Sequence, residues 1–368
     1  MCRRRAAQAR AAVCPILSDS HATVGIAACG RSRVRPDGST RHTLTLAACN
    51  ADMFEQVAVP TPFQVGPVNA YLADQTLVDP GPDSEEAWSH LTEALAERDL
   101  SPEDIERLLI THPHPDHFGL AKRFRDRGAT VVAHPDAASI TADFPARLDA
   151  EQAYFREFFE RCGMAPDTAD TVTELPGAFV HYAPSVAVDR EVAAGDRVTV
   201  DGIELRVEEL AGHATGEIGF AFDGPAGREA LVGDNVLEEI TPNPFLQPPE
   251  EPGAERPRVL PAYNDCLADL RAAGYDRLHP GHRGRVEDPT ERIDAILAEH
   301  DDRTERVAGL LDEPTTPVEV MTELFGELPV TEQFPGMSEA VGHLDVLEAA
   351  GRVTVGERDG DVVYERIE

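Results

Sequence analysis

The stretch Leu108–Gly119, LLITHPHPDHFG, places His112, His114, Asp116 and His117 within six positions, in a chain with 13 histidines. Neutral imidazole combined with carboxylate is the donor set that borderline divalent cations take. The apolar run ending at Ile110 predicts a buried strand, and GLAKRFRDR, Gly119–Arg127, predicts a helix. A loop leaving the end of such a strand can aim all four side chains into one cavity. The chemistry to expect is that of a bound metal ion.

His-x-His-x-Asp-His at a strand end resembles the signature of the metallo-β-lactamase fold superfamily. The remaining signature positions follow in chain order, each after a strand-like run: Asp79 in TLVDPGPD, His213 in LRVEELAGHATGEIGF, Asp234 in ALVGDNVL and His282 in RLHPGHRG. The resemblance covers about Met53 to His300. It implies one metal held by His112, His114 and His213 and another by Asp116, His117 and His282. Asp234 would bridge the two with a hydroxide. Asp116 and Asp234 are thus the implied catalytic carboxylates. Asp79 is expected as an acceptor that fixes a histidine or the Asp116 loop rather than as a ligand.

Two divalent cations about 3.5–4 Å apart acidify shared water and polarise a scissile carbonyl or phosphoryl oxygen. Zinc leads this expectation, with manganese or iron open, because mixed N/O sites accept all three. An aspartate at 234, where zinc lactamases of one major class carry cysteine, tilts the site away from antibiotic hydrolysis. The surroundings also depart from the family pattern. Ala211 and Ala214–Thr215 replace part of the usual Pro-Gly-His-Thr-Pro-Gly, and Arg283 follows His282 where Gly is common.

The implied fold class is α/β, an αββα metallo-β-lactamase sandwich over residues 53–299, with the metals at one sheet edge. Strand-like runs cluster in two halves, each followed by helical patterns, in agreement. Ala146–Glu160 carries Leu148, Tyr154, Phe155, Phe158 and Phe159 on one helical face, expected to pack on the sheet or to roof the cleft. Thr241–Pro261 is too Pro-rich for a helix or central strand and reads as a rim. Other histidines receive plainer readings: His134 as a loop residue or substrate contact, His279 as packing at a strand end, and His181 without a role. His21, His42, His90, His300 and His343 read as surface or core.

Residues 300–368 read as three short helices and a hairpin, which resembles the C-terminal winged helix of one subgroup of these hydrolases. Some members of that subgroup are similar to an endoribonuclease. Yet this segment holds 17 Asp+Glu against five Arg, and its third helix, SEAVGHLDVLEAAG, has no Lys or Arg. Phosphate neutralisation is missing. A structural cap or a homodimer contact is the expected use.

The whole chain has 368 residues and a net charge of −34, with Lys122 as its only lysine. Such acidity argues against a nucleic-acid or anionic-lipid binder and resembles proteins of salt-loving organisms, where salt screens repulsion. No apolar run is long enough to cross a bilayer. Residues 1–52 stand apart: eight Arg against three Asp give +5, leaving −39 on residues 53–368. Four of the six cysteines, Cys2, Cys14, Cys29 and Cys49, also lie there. This leader is expected to be disordered or mis-annotated, with Met53 as the start of translation. The two cysteines beyond it imply no disulfide framework and suit a reducing cytoplasm. The expected function is a dinuclear metal-dependent hydrolase of an ester, thioester or related bond in a small-molecule substrate. A metal-dependent endoribonuclease is the alternative, and a non-catalytic winged-helix protein a weaker one.

Overall fold

A computed structural model describes residues 52–251 and 253–367; the leader up to residue 51, including the cysteines at 2, 14, 29 and 49, lies outside the described residues. The first half runs β1 (Glu55–Val59), β2 (Val68–Ala73), β3 (Thr76–Val78), α1 (Glu85–Ala96), β4 (Arg107–Leu109), α2 (Pro115–Phe118), α3 (Ala121–Arg125), β5 (Thr130–Ala133) and α4 (Pro135–Ala142). Then come α5 (Phe144–Arg161), α6 (Pro166–Glu174) and β6 (Arg190–Glu191). Strands β1 to β6 form one mixed sheet in sequence order. β1–β3 pair antiparallel; β3 to β6 pair parallel.

The second half supplies β7 (Arg197–Val200), β8 (Ile203–Glu209), β9 (Ile218–Gly224), β10 (Gly227–Gly233), α7 (Val259–Ala273) and β11 (Arg277–Pro280). Its sheet has the order β11-β10-β9-β8-β7, antiparallel except where β11 runs parallel to β10. Alternation of side chains across a strand decides what each face touches. Val78, Leu109 and Val132 point from the first sheet towards Val198, Leu205, Val207, Phe220 and Leu231 of the second, in one buried cluster. The opposite faces are covered by helices: Leu77 and Leu108 meet Leu91 and Leu95 of α1, and Val232 and Leu278 meet Leu260 and Leu267 of α7. The layers are therefore helix, sheet, sheet, helix.

The chain ends with α8 (Pro289–Ala308), α9 (Pro317–Phe325), α10 (Val330–Ala349) and the hairpin β12 (Val353–Arg358) and β13 (Asp361–Arg366). Three helices and a hairpin are present, and they share one buried cluster with α5 and α6, in which Phe155 and Phe159 meet Val307, Met337 and Leu344. This corrects the expectation for Ala146–Glu160. Its aromatic face packs on α10, with Phe155 and Phe159 about Phe334, and only Leu148 reaches the sheet-side cluster. Periodicity reveals that a face is buried but not what buries it.

Three boundaries also differ from the sequence reading. Asp116 and His117 sit not in a loop but in the single turn α2, opened by Pro115 at its first position, and Ala121–Arg125 forms a separate helix. Helix α7 begins at Val259, so Pro261 falls in its first turn, where no amide hydrogen is needed. Helix α10 starts eight residues before Ser338 and runs through Pro335. Along it Gly336–Asp345 are all buried, so this helix is a wall and not a surface free to enter a nucleic-acid groove. No helix of the described residues is long and apolar enough to cross a membrane.

Candidate metal centre

Five chain segments meet at the end of the two sheets. β3 delivers Asp79, β4 runs into His112, His114, Asp116 and His117, β8 leads to His213, β10 to Asp234 and β11 to His282. Strand ends suit this task because the ladder holds the backbone while the following residue is released to turn inwards.

Three groups of donors converge, each with its ligand atoms within 4.8 Å of one another: His112, His114 and His213; Asp116, His117 and His282; and Asp79, His112 and His117. In the first, His114 Nδ1 lies 3.1 Å from His112 Nε2 and 3.0 Å from His213 Nε2. Nitrogens bound at about 2.0–2.1 Å to a common tetrahedral cation stand about 3.3 Å apart, so the trio has the required size. In the second, His282 Nε2 is 3.3 Å from Asp116 Oδ2. Asp234 faces both groups. Its Oδ1 is 3.5 Å from His117 Nε2, while its Oδ2 lies 3.6 Å from His213 Nε2 and 3.4 Å from His282 Nε2.

The outward nitrogens are tied down. His117 Nδ1 donates to Asp79 Oδ2 at 3.0 Å, and Asp79 also receives the Thr111 amide at 2.9 Å and the Thr111 hydroxyl at 2.6 Å. That hydroxyl then accepts from His112 Nδ1 at 3.0 Å. His282 Nδ1 donates to the Pro67 carbonyl at 2.8 Å, and His213 Nδ1 faces the Asn243 carbonyl at 3.4 Å. Each bond leaves the Nε2 lone pair pointing inwards. Asp79 holds a left-handed backbone, φ 50°, an uncommon conformation for a non-glycine residue. With its carboxylate spent on Thr111 and His117, it stands outside the circle of inward donors.

Electrostatics point the same way. The seven inward residues other than His114 are buried, and His117 Nε2, Asp234 Oδ1 and His282 Nε2 have no hydrogen-bond partner. Burial keeps His112 far below the usual histidine range, and His114 is lowered to about 3, so both offer free lone pairs. Burial raises the Asp234 carboxyl, but His282 and His117 outweigh it and hold it far below normal. His117 is pushed up in turn by Asp234 and Asp116, against burial. Buried carboxylates here demand positive charge, which protons on histidine meet in the absence of another cation. Donor chemistry, spacing and orphaned atoms all fit two divalent metal ions.

A model of the metallo-beta-lactamase superfamily matches residues 64–282. The chain belongs to that superfamily. This superfamily hydrolase is 33% identical over 313 residues to "Probable metallo-hydrolase YqjP" of Bacillus subtilis (strain 168), covering 84% of this chain and 96% of the relative. Among solved structures, metallo-beta-lactamase family protein TTHA1429 of Thermus thermophilus superposes with a TM-score of 0.71 at 27% identity, over 86% of this chain and 99% of that one. A beta-lactamase domain protein from Burkholderia ambifaria shares the fold, with a TM-score of 0.72 at 24% identity over 88% and 96%.

Several supporting residues of the superfamily member escaped the sequence reading. Glu217, buried, receives the His213 amide at 3.4 Å and the Asn235 amide group at 3.1 Å, and burial pushes it up to about 8. Asn69 donates from Nδ2 to the carbonyls of Pro280 and Arg283 at 3.0 and 2.9 Å, while Tyr71 donates to Pro280 at 2.7 Å. These clamp the His282 turn. A buried glutamate in GEIGF was a usable signal; lone Asn and Thr offered none. His134 caps α4, accepting from the Asp136 amide at 3.2 Å, and His279 bonds Glu229 at 2.6 Å inside the sheet.

Proposed function

We propose that the protein is a dinuclear metal-dependent hydrolase of an ester, thioester or related small-molecule bond. His112, His114 and His213 would hold one cation and Asp116, His117 and His282 the other, with zinc the leading candidate for both. The observation that supports this reading is Asp234, whose Oδ2 lies between His213 of one group and His282 of the other while its Oδ1 faces His117. Cations bound there supply Lewis acidity, acidifying water and polarising the bond to be broken. The chain's own residues do the rest. Asp116 and Asp234 remain ionised, since the neighbouring histidines outweigh the effect of burial. Asp116 Oδ2 is then an acceptor for the proton that water releases on attack. Asp79 and Thr111 hold His117 and His112 in one tautomer throughout.

Residues 300–368 act as a winged-helix-like structural module, because the buried α10 supports a cap over the site rather than a strand-binding surface. The same burial weighs against the ribonuclease. Replacing Asp116 and His117 together by Ala should abolish hydrolysis while circular dichroism keeps its native form. Turnover of a thioester panel at an unchanged rate in that variant would sink the mechanism. Single-stranded RNA offered beside the panel at high salt separates the two substrate classes.

A further inference from the structure

Among the described residues from Thr241 to Arg258, the segment between Asp234 and α7 has no regular structure, so no ladder holds it. It nevertheless shapes the histidine trio. The Asn243 carbonyl faces His213 Nδ1, and the Phe245 ring lies 5.6 Å from the His213 ring and 6.0 Å from that of His114. What holds this segment comes from the far end of the chain. Asn243 Nδ2 donates to the Pro335 carbonyl at 3.1 Å and to Glu339 Oε1 at 3.3 Å, both on α10. The Leu246 amide donates to Ser338 Oγ at 3.1 Å, and the Leu246 side chain is buried in the cluster that holds Met337 and Val341. Glu339 is itself anchored: its Oε2 receives Arg303 of α8 at 2.5 Å and lies 3.4 Å from His343 Nε2.

We propose that Asn243 and Glu339 are positioning residues for His213, through which helix α10 sets the tautomer and direction of that imidazole. The inference rests on the reading of His112, His114 and His213 as metal ligands. The physical link is short. An acceptor at Nδ1 keeps the proton there and the lone pair on the inward Nε2, and the acceptor works only where its carbonyl is held still. The Asn243 carbonyl also accepts the Phe245 amide at 3.0 Å, and what ties Asn243 to α10 is its side-chain amide, which ends on the Pro335 carbonyl and on a carboxylate held in charge-assisted bonds. Burial opposes ionisation of Glu339, but His343 and Arg303 prevail and keep it charged. Partners of this kind alter metal affinity by about 10–100-fold when removed.

The test uses the full chain. Stripped protein is titrated with Zn2+ against a chromophoric chelator and, separately, loaded with Co2+ to record its visible absorption. Asn243→Ala should weaken one of the two sites by about 10–100-fold and shift its cobalt spectrum, with the other site unchanged. Glu339→Gln keeps an acceptor for the Asn243 amide and should fall between that variant and the parent. Ser338→Ala releases the neighbouring Leu246 amide without touching Asn243, and should leave both affinities alone. If Ser338→Ala weakens binding as much as Asn243→Ala, general loosening of the segment is the cause and the proposal is overturned. His213→Ala separates the two levels of inference. Loss of a site in His213→Ala with none in Asn243→Ala removes only the positioning role. Two intact sites in His213→Ala remove the metal reading and this proposal together.

Discussion

Gly281 measures how little room the site leaves. A Cβ there would stand 2.3 Å from Asp234 Oδ1 and 2.6 Å from His117 Cε1, and neither neighbour is a flexible chain end free to move away. Gly281→Ala should therefore displace Asp234 and cut kcat by about 100-fold, the usual cost of an ångström-scale misplacement. Native circular dichroism with undiminished kcat would show that the carboxylate has slack the structure does not suggest. At this scale the inward-facing residues were legible because histidine is scarce and its spacing regular. Apart from Asp79, the residues that orient them were not. Thr111, Pro67 and Asn243 act through one hydroxyl or a main-chain carbonyl, and any sequence offers many of those.

Among the elements, α8 and α10 meet over a buried polar seam. His300 donates from Nδ1 to Asn264 Oδ1 at 2.7 Å, its Nε2 has no partner, and Tyr263, Glu299, Arg303, Glu339 and His343 surround it. Burial lowers it to about 4, so it folds neutral. The unfolded chain takes up a proton below about pH 6.5 while the native state does not. Its contribution is complete above that pH and is lost as pH falls towards 4, with about 2 kcal/mol gone at pH 5. Urea unfolding of the parent and of His300→Gln at pH 7.5 and pH 5 should show the parent losing more by that amount; parallel losses would contradict it. The existence of these helices was readable from capping signals, such as Thr316 and Glu319 at the start of α9, whose reciprocal box is present. The path of α10 was not, because Pro335 in a helix interior reads as a start. Tertiary contacts to α5 and α6 hold that turn helical despite the proline.

For the whole molecule, the αββα order was implied by the family resemblance that the signature residues carry, and two sets of apolar runs agreed with it. The partners of its faces were not, since the shared cluster of α5, α6 and α10 joins residues nearly two hundred positions apart. Net charge acts at this scale too. At −34 the folded chain repels itself, and the screening length falls from about 10 Å at 0.1 M salt to about 3 Å at 1 M. Melting temperature should therefore rise steeply with potassium chloride through that range. A flat or falling curve would mean that the surface ion pairs, weakened by the same screening, matter more than the repulsion.

The clamp around the His282 turn has a consequence for how the fold opens. Besides the Asn69 and Tyr71 side-chain bonds, the Asn69 amide donates to the Gly281 carbonyl and the Gly281 amide to that of Gly233, both at 2.6 Å. Asn69 belongs to one sheet, and Gly233 to the other. The Asn69 amide proton is buttoned across the sandwich and can be traded for deuterium only when β2 parts from the His282 turn, whereas the Gly281 bond stays within the second sheet. Fraying of β7, the far edge of the second sheet, leaves that proton untouched. The turn that carries His282 is thus fastened to the other sheet, so the protein can flex at that far edge and still keep His282 in register with the donors that follow β4.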